Sequence, residues 1–440
     1  MVYELMKILV RACTSIYFKR IVAAGLEKLP DGGPTIIVAN HPNTLMDPLL
    51  IAAAVKQRIG FVANAGIFSN RALAAFFRYF HVIPIFRKKD VAPGDKPDNT
   101  QAFAQCHAYL AQGGTFLIFP EGSSYYEINL REIKTGTARI ALSYDGPGEL
   151  RIAPIALDYS DAIQFRSMVR VTVGKPIAVS AYREAYQRND VEAVEALTAD
   201  IRKALARKLP WTTGKDQEDL LIKAHTFYTT YATPAADLYE DPQRSLFVRK
   251  QLADALHRLR ETGLELYERT SARLLAFFEA LRRDRLTPGF YTHSFQQRSF
   301  LLLCVGYLAE LLLLSPIYLF GLITNYLPYI LPSLVFKASR LDIEYKAPAQ
   351  MIVGLILFPL FYALEAWAFH HFIDQRTWTN LIFLLALPVA GYATMWYWTQ
   401  LRRFARILRF RFAVPEERKR EMLHERDALL EAMMEARKSL

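Results

Sequence analysis

The chain has 440 residues and a formal net charge of +11, from 54 Lys and Arg against 43 Asp and Glu. It is 52% hydrophobic and 13% aromatic, with a mean hydropathy of +0.08, which is too apolar for a wholly water-soluble enzyme and too long for one ordinary core. Three scattered cysteines, Cys13, Cys106 and Cys304, exclude a disulfide scaffold and a thiolate metal site. With long apolar segments present, the basic excess points to an anionic membrane surface and away from nucleic acid.

The first segment, 1–28, opens with a helix expected from Met1 to about Ala24. Leu5, Leu9, Ile16 and Phe18 are apolar, while Lys7, Arg11, Lys19 and Arg20 are basic. This pattern suits a helix lying among lipid headgroups, and equally one packed on the following domain. Lys7 and Arg11 break the apolar run, so it does not read as a signal peptide.

From 29 to 210 short β-rich runs alternate with helical stretches. PTIIVAN, RIGFVANA, HVIPIFR, GTFLIFP, ELRIAPIALDY and MVRVTVGKPI read as strands, and RALAAFFRYF and QAFAQCHAYLAQ as helices between them. An α/β domain with a largely buried sheet follows. The region 211–298 is helical and highly charged, with two helices expected on either side of Glu261 to Gly263.

The region 299–401 holds three stretches long enough to span a bilayer: SFLLLCVGYLAELLLLSPIYLFGLI, MIVGLILFPLFYALEAWAFHHFI and LIFLLALPVAGYATMWYWTQL. TNYLPYILPSLVF is apolar but short and proline-broken. Counting it as a crossing gives two membrane hairpins and keeps both Arg-rich flanks on the cytoplasmic side. Glu310 and Glu365 fall inside spans, where a carboxylate is expensive unless paired or wet. The tail, 402–440, opens RRFARILRFRF and continues as a cytoplasmic helix started by Pro415, Glu416 and Glu417.

Three stretches can carry chemistry. In VANHPNTLMDPLL, His41 precedes a proline, so it is pushed toward extended geometry at a strand end. Asn43 or Thr44 then suits the N-cap of a helix that carries Asp47 in its first turn. Asp47 can accept the proton-bearing imidazole nitrogen and leave the other as a base; a structural turn is the bland alternative. In GTFLIFPEGSSYY a strand releases Glu121, Gly122 and two hydroxyls at a sheet edge. In HVIPIFRKKD a strand releases Arg87, Lys88 and Lys89, which suits a phosphate or an ordinary solvated turn.

In this order NHPNTLMD, VIPIFRKKD, FPEGSS and IAPIAL resemble the motifs of the glycerolipid acyltransferase family of phosphatidic-acid synthesis. The resemblance spans about 29–175, and FPEG is its most specific element. IFPEGSS followed by REIKTGTARIAL is most similar to the glycerol-3-phosphate or dihydroxyacetone-phosphate acyltransferases with membrane segments after the catalytic domain. The fold implied is an acyltransferase-type α/β sheet flanked by helices, followed by a charged helical region and a C-terminal transmembrane helical region.

The activity implied is acyl transfer from acyl-CoA or acyl carrier protein to glycerol-3-phosphate or 1-acylglycerol-3-phosphate at the cytoplasmic face of a membrane. The donor is a co-substrate, and neither a resident cofactor nor a metal is implied. His41 would be the general base and Asp47 its orienter; Arg87 with Lys88 would hold the acceptor phosphate. Glu121 and Gly122 would line the acceptor pocket, with Ser123 as a hydrogen-bonding partner and Lys134 as a further anion contact. Another lysolipid or dihydroxyacetone phosphate is an alternative acceptor, and a non-catalytic lipid-binding or transport protein an alternative function. The sequence departs from the family in one respect: five residues, not four, separate His41 from Asp47. Within a helix the extra residue would swing Asp47 by about 100°; with His41 outside the helix, the turn absorbs it.

Overall fold

The structure, a computed structural model, describes residues 2–68, 70–87, 90, 98–232, 242–288 and 300–438. It forms two compact units, Met1–Trp211 with Asp342–Pro348, and Thr212–Leu341 with Ala349–Leu440.

The first unit is built on an eight-stranded sheet. Its strands are β1 (Arg20–Ala24), β2 (Thr35–Ala39), β3 (Ile59–Asn64), β4 (Val82–Ile85), β5 (Thr115–Ile118), β6 (Arg151–Tyr159), β7 (Met168–Val173) and β8 (Ile177–Ala178). They lie in the order β1-β7-β6-β2-β5-β3-β4, with β8 also on β6. Strands β6, β2, β5, β3 and β4 are parallel to one another, so their carboxyl ends share one edge. Strands β7 and β8 run against β6. Strand β2 is buried along its whole length and β6 along all but its first residue, which explains their continuous apolar runs. On β7 buried residues alternate with half-buried ones, as expected where one face is better covered than the other.

The helices of this unit are α1 (Val2–Tyr17), α2 (Met46–Ala54), α3 (Arg71–Tyr79), α4 (Thr100–Ala111), α5 (Gly136–Leu142), α6 (Arg183–Arg188) and α7 (Asp190–Ala206). Leu110 of α4, Ile140 of α5 and Leu197 and Ile201 of α7 pack with Ile36, Phe116 and Ile152 of the sheet into one core.

Two expectations for the amino-terminal segment are corrected. The helix stops at Tyr17, and Arg20–Ala24 is an edge strand parallel to β7, from Arg20 opposite Met168 to Ala24 opposite Thr172. The β-branched pair Ile21 and Val22 suits a strand, and Phe18 is buried in aromatic contact with Tyr17 and Tyr159.

Lys7 does not supply charge to an outer face, and Arg11, though exposed, is tethered to the next helix. The Lys7 ammonium is buried and donates to Val55 O at 2.6 Å and Lys56 O at 3.0 Å; Arg11 Nε donates to Ala53 O at 2.9 Å. Both cations therefore satisfy carbonyls at the carboxyl end of α2, where the helix dipole favours positive charge. Burial, with the neighbouring Arg11 charge, pulls the Lys7 ammonium below the usual lysine range. Leu5, Ile8, Leu9 and Ile16 are exposed on α1.

The second unit is helical. Helices α8 (Lys215–Phe227), α9 (Pro242–Thr262), α10 (Leu264–Arg283) and α14 (Glu416–Lys438) include the charged stretches. The two helices expected around Gly263 are α9 and α10. Leu220 and Phe227 of α8, Phe277 and Leu281 of α10, and Met422 and Leu429 of α14 share one apolar cluster.

Three further helices are long and apolar enough to cross a membrane. They are α11 (Phe300–Ser339), α12 (Lys346–Phe372) with the 3-10 turn before it, and α13 (Thr377–Ala413). Only 6%, 6% and 11% of their most apolar windows are buried, so they do not form a buried core among the described residues. The expected fourth crossing is corrected: TNYLPYILPSLVF continues α11, which runs through Pro316, Pro328 and Pro332. At 40 residues, α11 is about 60 Å long, roughly twice the thickness of a hydrocarbon core.

The carbonyl that Pro316 leaves without an amide donor, Leu312 O, accepts from Ser315 Oγ at 2.8 Å, and further contacts tie α11 to its neighbours. Asn325 Nδ2 donates to Leu387 O at 3.1 Å, and Tyr362 Oη donates to Asn325 Oδ1 at 2.6 Å. Gly321 lies so close to α13 that a Cβ there would collide with Ala390 O.

Replacing Lys7 by Met keeps the stem and removes the ammonium, leaving Val55 O and Lys56 O without that donor. The expected loss is about 1–3 kcal/mol for buried acceptors left unpaired, read as a lowered Tm of the purified protein. An unchanged Tm contradicts the capping role.

Candidate active site

The site lies where β2, β5 and β6 end. Just past β2, the Asn40 side chain prolongs the ladder to β6: Nδ2 donates to Leu157 O at 2.9 Å and Leu157 N donates to Oδ1 at 2.8 Å. His41 follows, held at the main chain from the β5 side. Its amide donates to Glu121 Oε1 at 2.8 Å, and its carbonyl accepts from Tyr125 N at 3.1 Å. The imidazole lies flat on Phe119, with ring centroids 3.8 Å apart and planes 9° from parallel.

With the backbone and ring plane fixed, the ring nitrogen Nδ1 meets Asp47 Oδ2 at 2.8 Å. Asp47 has no exposed surface. Its Oδ2 also accepts from Asn43 N at 2.7 Å, and its Oδ1 accepts from Tyr159 Oη at 2.5 Å. An ionised carboxylate only accepts, so Nδ1 carries the imidazole proton and Nε2 presents a lone pair. The His41 side chain keeps 17% of its surface.

The five-residue spacing is absorbed as the proline requires. Helix α2 begins at Met46, so His41 stands outside it and the 100° rotation does not arise. The cap differs from expectation. The N-cap position falls on Leu45, because both expected capping side chains are engaged elsewhere. Asn43 Nδ2 donates to Ala162 O, and Thr44 Oγ1 donates to Glu344 O at 3.1 Å. Thr44 takes a left-handed conformation (φ 31°), and its amide donates to Ser124 Oγ at 2.9 Å. Asp47 itself folds back over the turn, near the positive end of α2.

Glu121 is buried, and both carboxylate oxygens face main-chain amides, His41 N and Arg131 N, the latter at 3.2 Å. Burial raises its pKa above the usual carboxylate range, against the opposing pull of those two amides. Gly122 closes the turn, its amide donating to Phe119 O at 3.1 Å, with φ 75°, which favours glycine. Ser123 follows, half-buried.

Two basic side chains pass close to Gly122. Arg87 Nη1 approaches its carbonyl at 3.4 Å, and the Lys134 stem passes 3.9 Å from where a Cβ would stand. The Arg87 guanidinium also forks onto Asp90, with Nε to Oδ2 at 2.9 Å and Nη2 to Oδ1 at 3.0 Å. Lys88 and Lys89 lie outside the described residues.

Sequence reasoning passed over Phe119 and Tyr159, although each stands in a quoted motif, and it treated Ser124 only as one of two exposed hydroxyls and Asn40 only as part of a motif. It also missed Asp342–Pro348. This linker between α11 and α12 belongs to the first unit and brings Glu344 O to Thr44.

The fold and the site define an α/β domain with a carboxylate-oriented imidazole at the carboxyl ends of a mostly parallel sheet. Residues 20–158 match the family model named Acyltransferase, over the segment that carries the motifs quoted above. An uncharacterized acyltransferase of Schizosaccharomyces pombe is 21% identical over 277 residues, covering 43% of this chain and 41% of that protein. The chain thus spans about two fifths of the length of this curated relative. The crystal structure of the 1-acyl-sn-glycerophosphate acyltransferase from Thermotoga maritima is 21% identical, covering 45% of this chain and 80% of that one, with a TM-score of 0.33.

Glu121→Gln sets an amide NH₂ against one of two main-chain N–H donors. The expected loss of stability is about 1–3 kcal/mol, with impaired placement of His41. Wild-type stability in thermal denaturation contradicts the role of Glu121 as a clamp.

Proposed function

We propose that the protein is a membrane-bound O-acyltransferase. It moves a fatty acyl group from acyl-CoA or acyl carrier protein to the hydroxyl of glycerol-3-phosphate or 1-acylglycerol-3-phosphate. The observation that carries this reading is the buried Asp47 carboxylate on His41 Nδ1, within an acyltransferase-family domain. His41 Nε2 takes the acceptor hydroxyl proton as the oxygen attacks the thioester carbonyl, and Asp47 stabilises the imidazolium. When the tetrahedral intermediate collapses, the C–S bond breaks and the imidazolium returns the proton to the leaving thiolate. No acyl-enzyme is required.

The acceptor phosphate binds at Gly122, held by Arg87 with Lys88 and Lys134, and competes with Asp90 for the guanidinium fork. Ser123 is a hydrogen-bonding partner at the same turn. Glu121 contributes by holding the His41 main chain, and Gly122 by allowing the turn. The three apolar helices keep the domain beside its lipid product. We place the active site on the cytoplasmic face because the Arg-rich flank ahead of α11, with Arg282, Arg283 and Arg285, precedes the first crossing as the catalytic domain does.

The test offers labelled acyl-CoA and acyl carrier protein thioesters to the purified protein, with glycerol-3-phosphate, dihydroxyacetone phosphate and lysophosphatidate in parallel. Product is expected with a phosphate-bearing acceptor, and His41→Ala should lower its rate by about 10²–10⁴-fold. Arg87→Ala should raise the acceptor KM more than it lowers kcat. Full activity in His41→Ala overturns the mechanism, and lipid binding without turnover on any acceptor favours a binding protein.

A further inference from the structure

Asp47 is held by more than the imidazole. The Tyr159 hydroxyl, from the last residue of β6, donates to Oδ1 at 2.5 Å on the side away from His41 and Asn43. Burial and the adjacent Asp47 carboxylate push the phenol well above its usual range, so it remains a proton donor throughout the working pH. Its ring sits against Phe18, with centroids 5.7 Å apart, behind the sheet end.

We propose that Tyr159 is a positioning residue that sets the basicity of His41 through Asp47. The inference rests on His41 being the base. A hydrogen bond to Oδ1 fixes the carboxylate plane so that Oδ2 meets Nδ1, and it withdraws negative charge from the oxygen facing the imidazole. Without it, Asp47 holds more charge toward His41, and the imidazole keeps a proton to higher pH. The titratable groups around the pair are Glu121 from the turn after β5, Tyr159 from β6 and, beyond Tyr159, Tyr17 from α1. Glu344 approaches the turn through its main-chain oxygen. Only Tyr159 donates a side-chain hydroxyl to Asp47 among the described residues.

Tyr159→Phe removes the hydroxyl and keeps the ring packing. Its effect is read first without substrate, as the pH dependence of diethylpyrocarbonate modification at His41, quantified by peptide mass spectrometry. This reagent reports the unprotonated ring nitrogen whether or not the protein turns over any acceptor. The midpoint in Tyr159→Phe is expected to rise by about half to one pH unit. In the acyl-transfer assay kcat is expected to fall about tenfold, the rate equivalent of one hydrogen bond, with KM values within about twofold.

If Tyr159→Phe does not fold, 3-fluorotyrosine at position 159 serves instead. A more acidic phenol strengthens the bond and should lower the midpoint. A midpoint that is unmoved, or moved in the opposite direction, overturns the role of Tyr159. A shifted midpoint with full activity in His41→Ala retains the coupling and refutes the reading of His41 as the base.

Discussion

A carboxylate with no exposed surface organises this site. Removed from water, Asp47 needs donors, and its two oxygens draw in three groups from two parts of the chain: the His41 ring and the Asn43 amide of one turn, and the Tyr159 hydroxyl. Each bond that satisfies the buried charge also fixes a piece of the machinery. The imidazole is aimed, the turn ahead of α2 is closed, and the end of β6 is tied to the end of β2. Because Glu121 holds the His41 amide and Phe119 stacks on its ring, the β5 exit is bound into the same arrangement.

Parallel pairing makes this convergence possible. Strands β6, β2 and β5 lie side by side and point the same way, so Tyr159, His41 and Glu121 emerge at one edge although more than a hundred residues separate the first two. Strand β4 brings Arg87 to the same edge. Open parallel sheets bind ligands at the carboxyl ends of their strands for this reason. The linker 342–348 adds a contact from far along the sequence, at the turn that carries Thr44.

Much of this was legible in the sequence, and the exceptions have physical causes. Strands β2 to β7 lie within the quoted β-rich runs, because a buried sheet selects apolar and β-branched residues. Pro42 correctly placed His41 ahead of the helix and so absorbed the additional residue before Asp47. Strand β1 was hidden because Ile21 and Val22 continue an apolar pattern that the preceding helix had begun. The destination of Lys7 and Arg11 was hidden because a cation on an amphipathic helix looks the same whether it faces lipid headgroups or carbonyls. Tyr159 was illegible for a similar reason: the sequence marks it as a strand residue, and only the pairing of β6 with β2 brings its hydroxyl to Asp47. The continuity of α11 depended on packing partners for a proline-containing helix, which local sequence does not reveal.

In the proposed mechanism the charge of Asp47, and not its shape alone, makes His41 a base. Asp47→Asn isolates the two. An asparagine can keep its carbonyl oxygen toward His41 Nδ1 and Asn43 N while its NH₂ faces the Tyr159 oxygen, so the hydrogen-bonded shape survives and the charge is lost. The measurement is kcat for acyl transfer to the preferred acceptor, made beside thermal denaturation. Tm is expected close to wild type and kcat lower by about 10³-fold or more. A variant that folds normally and transfers acyl groups at near wild-type rate would contradict it.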